Sequence, residues 1–155
     1  MLFRSKVIRA IEVTLAARAP ITQQWEQGRD ALTGYRVLRL GLNPPRAELY
    51  ARINRRADEM FDRGLVEETT QLVESYGFEC RAFTSLGYAQ AIAVLRGELT
   101  RDRAIALAAQ GHRNYAKRQL TWFRKDPALH WLPSFGTDAD IQREAIALVA
   151  KHLKL

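Results

Sequence analysis

The stretch GHRNYAKRQLTWFRKDP, residues 111–127, carries five Lys and Arg side chains and two aromatic residues with N–H or O–H groups. On a helix, Arg113, Lys117, Thr121 and Arg124 step by four, four and three residues and share one side, which Arg118 and Lys125 widen. Ala116, Leu120 and Phe123 step along another side and are expected to face a core. Tyr115 and Trp122 edge the two faces. Cations neutralise phosphates, Thr and Gln give directional hydrogen bonds, and aromatic rings can stack on unpaired bases. The mixture therefore suits a nucleic-acid backbone. A membrane-surface helix would need a broad exposed apolar face, and here that face is committed to packing. The competing reading is a solvated basic helix whose Trp lies in the core.

Two further constellations have chemical content. In ARINRRADEMFDRG, residues 51–64, helical spacing makes neighbours of Arg52, Arg55, Arg56, Glu59 and Arg63, and puts Ile53, Ala57, Met60 and Phe61 on the apolar side. The cluster is either a set of guanidiniums that bind phosphate oxygens in pairs, or a solvated face on which Glu59 makes weak ion pairs with Arg55 and Arg63. In SLGYAQAIAVLRGE, residues 85–98, the Gly87-Tyr88 step falls at a helix start, where free N–H groups favour an anion. The plainer reading is a capped helix with Leu86, Ile92 and Leu95 in the core.

Charge agrees with an anionic partner: 24 Lys and Arg oppose 17 Asp and Glu, a net charge of +7. The lone Cys80 cannot form an internal disulfide, fits a reducing compartment, and is expected to be a small buried side chain. The three His show no zinc-ligand spacing, so no metal site is expected. No Ser/His/Asp set, HExxH, GxGxxG or GxxxxGK[ST] occurs, so nothing here independently activates a nucleophile or cradles a nucleoside triphosphate. No apolar run is long enough to span a bilayer, and the start does not read as a signal peptide. The residues alone thus reach a basic helical module for nucleic acid, with a purely structural helical protein as the other outcome.

The elements that must position these groups are mostly helices. Helices are expected from Ser5 to Arg18, Ile21 to Gln27, Arg46 to Arg63, Val66 to Ser75, Ser85 to Arg96, Arg101 to Arg124 and Asp138 to Leu153. Ser85, Thr100 and Thr137 are the expected N-caps, and Gly64, Gly77 and Gly97 the stops. Gly28 and Gly34 bracket a loop, and residues 78–84 read as another. Tyr35–Leu42 is the best strand, ended by Asn43-Pro44-Pro45; Leu129–Pro133 is a weaker one. A lone strand cannot satisfy its own backbone, so the first must pair with the second, with another chain, or with a sheet outside this sequence.

In order and spacing, four stretches resemble the tRNA dimethylallyltransferase (tRNA isopentenyltransferase) family. SKVIRAIEVTLAARAPITQQW is similar to its arginine-rich segment and following turn. YRVLRLGLNPPRAELYARINRRADEMFDRGLVEE is similar to its strand and its R-I-x-x-R-x-x-x-M helix. SLGYAQAIAVLRGELTRDRAI resembles its [SC]-[LIV]-G-Y-[KR]-[EQ] motif, and NYAKRQLTWFRKDPALHWL its A-K-R-Q-x-T-W-[FL]-R signature. Two departures stand out: Ala89 replaces a common Lys or Arg, and Lys6 a common Arg.

The resemblance implies transfer of a dimethylallyl group from dimethylallyl diphosphate to N6 of adenosine 37 in tRNA, with Mg²⁺, in the cytoplasm. It implies a mainly α chain with one or two strands, the C-terminal part of a P-loop-NTPase-like α/β fold without the P-loop half. Residues 1–155 would be one such region: 1–42 a helix plus a sheet strand, 43–155 the helical tRNA-binding part. By residue, Arg56 matches the arginine that reaches the diphosphate, with Arg52 as a weaker candidate. Ser5, Lys6, Val7, Ile8 and Arg9 match a tRNA-contacting segment. So do Thr84, Ser85, Leu86, Gly87, Tyr88 and Ala89, and Lys117, Arg118, Gln119, Leu120, Thr121, Trp122, Phe123 and Arg124. The expected partners are a tRNA anticodon stem-loop and, if encoded separately, an N-terminal half that carries the phosphate loop, the general base and any Mg²⁺ ligands. Without that half the chain is expected to be inactive, and the alternative is a non-catalytic nucleic-acid-binding module.

Overall fold

A computed structural model describes residues 2–23 and 34–154. The chain divides into two compact units, Met1–Val37 and Leu38–Leu155.

In the first unit, α1 runs from Leu2 to Ala17. It ends at Arg18, whose φ of 50° lies in the left-handed region that glycine usually fills. The stripe of Val7, Ile8, Ile11 and Leu15 expected from the spacing is present, and each is about half exposed or more. Residues 21–23 are helical; the rest of the helix expected to reach Gln27, and Gly28, lie outside the described residues.

The second unit begins with β1, Arg39–Leu42, and returns to it through β2, Leu129–Leu132. They pair in parallel, with Arg39 opposite Leu129 and Leu42 opposite Leu132. Of the three partners open to the first strand, the structure therefore uses the second strand. β1 is shorter than the expected Tyr35–Leu42, because β2 offers only four residues to pair with. Asn43 N–H extends the ladder by donating to Leu132 O at 2.8 Å.

Between the strands lies a block of helices: α2 (Arg46–Asp62), α3 (Leu65–Tyr76), a 3₁₀ turn (Arg81–Thr84), α4 (Tyr88–Leu95) and α5 (Arg101–Phe123); α6 (Ala139–Leu153) follows β2. Pro45, with φ −53°, occupies the N-cap of α2 and supplies no side-chain cap. Gly64, at φ +95°, turns α2 directly into α3, a backbone conformation that a side chain would strain. The 3₁₀ turn lies where sequence suggested only loop.

Two expected caps are corrected. Ser85 Oγ donates to Ala82 O at 2.7 Å, so it closes the 3₁₀ turn instead of capping α4. Asp138, not Thr137, caps α6: its Oδ1 accepts from Asp140 N at 3.0 Å. Thr100 caps α5 as its position suggested, with its hydroxyl accepting from Arg103 N.

The helices bury a small-residue core. Phe61, Leu65, Ala91, Ala104 and Ala108 touch one another, ringed by Met60, Val66, Tyr88, Val94, Leu99 and Ile105. Alanines on α4 and α5 let the axes come close, and Phe61 and Leu65 fill the space left. Ala57 and Phe61 hold the apolar side expected for α2. Thr69 is fully buried, but its hydroxyl donates to Leu65 O at 2.6 Å and is satisfied. Leu132 and Ile141 are buried as well. Cys80 is only half-buried, beside the 3₁₀ turn at the protein surface. No described helix is long and apolar enough to cross a membrane.

Candidate nucleic-acid interface

Helix α5 presents the basic flank. Lys117, Arg118, Gln119, Thr121, Arg124 and Lys125 are all exposed. Among the described residues, no carboxylate pairs with Lys117, Arg118, Arg124 or Lys125. Asp126, the acid next in sequence, is spoken for: it pairs with Arg39 at 3.2 Å and accepts Ala128 N at 3.0 Å. The positive charge on this flank is therefore left uncompensated.

Several members behave differently from the helical-wheel expectation. Trp122 is 67% exposed, so the reading that put it in the core is wrong; it meets Phe123 edge-on, with ring centroids 4.9 Å apart. Phe123 is 42% exposed instead of packed in the core. It borders an apolar groove of about 370 Å³ with Leu40, Leu120, Trp131 and Phe135, which the two-stranded ribbon is too narrow to fill. Arg113 leaves the stripe, because its guanidinium donates to Asn54 Oδ1 and braces α5 against α2. Thr121 Oγ1 donates to Lys117 O at 2.9 Å, so toward a ligand it can only accept. Arg118 stacks over Tyr115, 5.7 Å from its centroid.

On α2 the arginines separate by partner. Glu59 lies 3.7 Å from both Arg55 and Arg63, an exposed arrangement of the weak kind expected. Arg52 lies 3.7 Å above the Phe135 ring, and its Nη2 donates to Thr137 Oγ1 at 3.4 Å, so it is anchored to the chain that follows β2. Arg56 is exposed and, among the described residues, has no carboxylate partner. It lies close enough to His112 on α5 to act on it. Burial first, and then the Arg56 charge, lower the His112 pKa below the usual 6.5. His112 Nε2 is buried without a hydrogen-bond partner among the described residues.

The turn from Thr84 to Ala89 is held by its own hydrogen bonds. Gly87 N–H donates to Gln90 Oε1 at 2.8 Å, and Ala89 N–H to Ser85 O at 3.0 Å. Thr84 Oγ1 donates to Arg81 O at 2.9 Å. Fewer N–H groups face outward than the Gly-Tyr step suggested, because Gln90 folds back to close the helix start. Tyr88 donates its hydroxyl to Glu68 on α3, and its ring leans on Phe83 at 6.1 Å. That bond, then burial, then the Glu68 charge raise the Tyr88 pKa above 10.0. Leu86 packs onto Gly111 of α5, where a Cβ would stand 2.6 Å from Leu86 Cδ2. Only glycine allows the turn to sit so close to the helix.

Ser5, Lys6, Val7, Ile8 and Arg9 lie on α1, in the other unit. Arg9 is exposed and pairs with Glu12 at 3.2 Å. Sequence reasoning overlooked the Arg113–Asn54 and Tyr88–Glu68 bonds, the Phe135 platform under Arg52, and Arg46 with Tyr50, whose ring the Arg46 guanidinium overlies at 5.0 Å. Only the last had a readable cue, an i, i+4 Arg–Tyr step at the start of a helix. Among the described residues, no three His, Cys, Asp or Glu side chains gather to hold a metal ion.

The second unit is thus a helical block on a parallel strand pair, with one uncompensated cationic flank. The family described as IPP transferase matches residues 3–126, and the chain belongs to that family. It is 59% identical over 145 residues to a tRNA dimethylallyltransferase of Koribacter versatilis, an alignment covering 94% of this chain and 47% of that protein. A tRNA dimethylallyltransferase of Solibacter usitatus is 46% identical, covering 96% and 48%. Among solved structures, a tRNA isopentenylpyrophosphate transferase from Bacillus halodurans superposes with a TM-score of 0.70 at 36% identity, covering 79% of this chain and 42% of that one. The chain spans about half the length of the relatives it matches.

Proposed function

We propose that these 155 residues form the RNA-gripping part of a tRNA dimethylallyltransferase. In that reaction a dimethylallyl group passes from dimethylallyl diphosphate to N6 of adenosine 37, beside the anticodon. The observation that carries the proposal is the α5 flank, whose cations are exposed and without carboxylate partners among the described residues. Charges of one sign held together repel, and a chain with no anionic partner gains nothing by keeping them so.

In this reading Lys117, Arg118, Arg124 and Lys125 neutralise phosphates of the anticodon stem-loop, and Trp122 offers a ring for stacking. The Thr84–Ala89 turn adds contacts, and the Ser5–Arg9 stretch of α1 is assigned RNA contacts of its own. Arg56 is the residue assigned to the diphosphate, where it stabilises the charge that grows on the leaving pyrophosphate as the allylic C–O bond breaks. Its lack of a carboxylate partner among the described residues favours it over Arg52, which Phe135 and Thr137 hold.

The sequence contains no Gly-rich phosphate loop. The loop, the base for the adenine amine and any Mg²⁺ ligands are therefore assigned to a P-loop-type N-terminal half outside these residues, in a cytoplasmic enzyme. By themselves these residues bind RNA without transferring the prenyl group. The test is an assay of labelled dimethylallyl transfer to tRNA, with the chain alone and with a P-loop half from a relative supplied in trans. Transfer only in the second case supports the proposal. Transfer by the chain alone refutes it. RNA binding with no rescue points to a non-catalytic binding module.

A further inference from the structure

A groove of about 460 Å³ opens between the first turns of α2 and the last turns of α5. Arg46 and Tyr50 line it from α2, Lys117, Thr121 and Arg124 from α5, with no carboxylate among its lining residues. Glu48, the acid of the first turn of α2, is exposed but does not line the groove. The Arg46 guanidinium lies 5.0 Å from the centroid of the Tyr50 ring, which orients its flat fork without using its N–H donors. None of Arg46, Lys117 and Arg124 has an ion-pair partner among the described residues. A concave site lined by one sign of charge focuses the field and concentrates anions.

We infer that this groove seats a backbone phosphate of the bound RNA, with Arg46 gripping two of its oxygens and Tyr50 holding Arg46 in place. The inference rests on the RNA-gripping reading above, and it extends the contact surface beyond α5 to two residues of α2. Arg46 supplies the paired N–H donors, because Thr121 has already given its hydroxyl hydrogen to Lys117 O.

The test follows binding of a fluorescent anticodon stem-loop to the full chain across a salt series. Arg46→Ala weakens binding several-fold and lowers the slope of log K against log salt by about one, as expected when a single phosphate is no longer neutralised. Arg63→Ala, just past the end of the same helix and outside the groove, changes neither. Arg46→Gln, which keeps a side-chain stem over Tyr50, must reproduce the slope change, so a poorly folded alanine variant does not decide the matter. If wild-type chain ignores the RNA, the proposed function itself fails. If wild type binds, and Lys117→Ala with Arg118→Ala weakens it while both Arg46 variants bind as wild type, only the groove assignment fails. A calorimetric titration with inorganic pyrophosphate covers the other source of phosphate. Loss of pyrophosphate binding in Arg46→Ala with an unchanged RNA slope would place the prenyl donor there and overturn the inference.

Discussion

Consider the triple variant Lys117→Ala, Arg118→Ala, Arg124→Ala. All three side chains are exposed, and no ion pair among the described residues is broken by removing them. The change does remove the Arg118 guanidinium from the Tyr115 ring, an interaction at 5.7 Å and in water, worth about 0.5–1 kcal/mol at most. Alanine is a better helix former than any of the three, which offsets part of that. Thermal stability should therefore stay within about 1 kcal/mol of wild type. Binding should not. Each neutralised phosphate contributes about 0.9 to the salt slope on duplex, so three contribute about 2.7. Between roughly 50 and 200 mM salt, wild type should lose about 40-fold more affinity than the variant. Fluorescence anisotropy with an anticodon stem-loop, at four or more salt concentrations, reads this directly. Parallel slopes would mean that these cations touch no phosphate, and a large drop in melting temperature would mean that they are structural after all.

Two other outcomes follow from the geometry. Asp138→Ala should cost about 1 kcal/mol through the exposed start of α6, whereas Thr137→Ala should cost clearly less, because Asp138 accepts the Asp140 N–H; chemical denaturation of both variants separates the two candidate caps. His112 should titrate below 6.5, and Arg56→Ala should move it part of the way back up, leaving the larger burial effect in place. Because the folded pKa is the lower one, the unfolded chain takes up this proton first, and its contribution to stability is lost as pH falls below about 6.5. Ring-proton NMR titration of wild type and variant checks this, and an unmoved His112 would separate the two side chains.

Much of the helical framework could be read from punctuation. Gly64, Gly77 and Gly97 sit at positive φ where the sequence placed helix ends, and Thr100 caps α5. The strands were legible as candidates, but their parallel pairing was not, since register depends on a partner far along the chain. Misassigned caps share a cause: Ser85 and Thr137 stand shortly before the true helix start, and each found a better use for its hydroxyl nearby. At the site, sequence located the basic residues but could not sort them. Which arginine is tied down depends on Phe135, Thr137 and Asn54, and those neighbours are set by packing of distant elements. A helical wheel also overstated how deeply Phe123 would be covered, because it assumes a neighbour on every apolar side, whereas the exposed Trp122 suits the edge position the wheel gave it.

The parallel ribbon has a kinetic corollary. Residues 43–128 separate the two strands, so β1 and β2 cannot meet by a local turn. Closing so long a loop costs chain entropy before any of the four rungs forms. Helices α2 and α5, far apart in sequence, pack against each other, α3 and α4 join them through neighbour contacts, and this assembly brings the strand ends within reach. The ribbon should accordingly zip late, acting as a clasp that records when the helical block has closed.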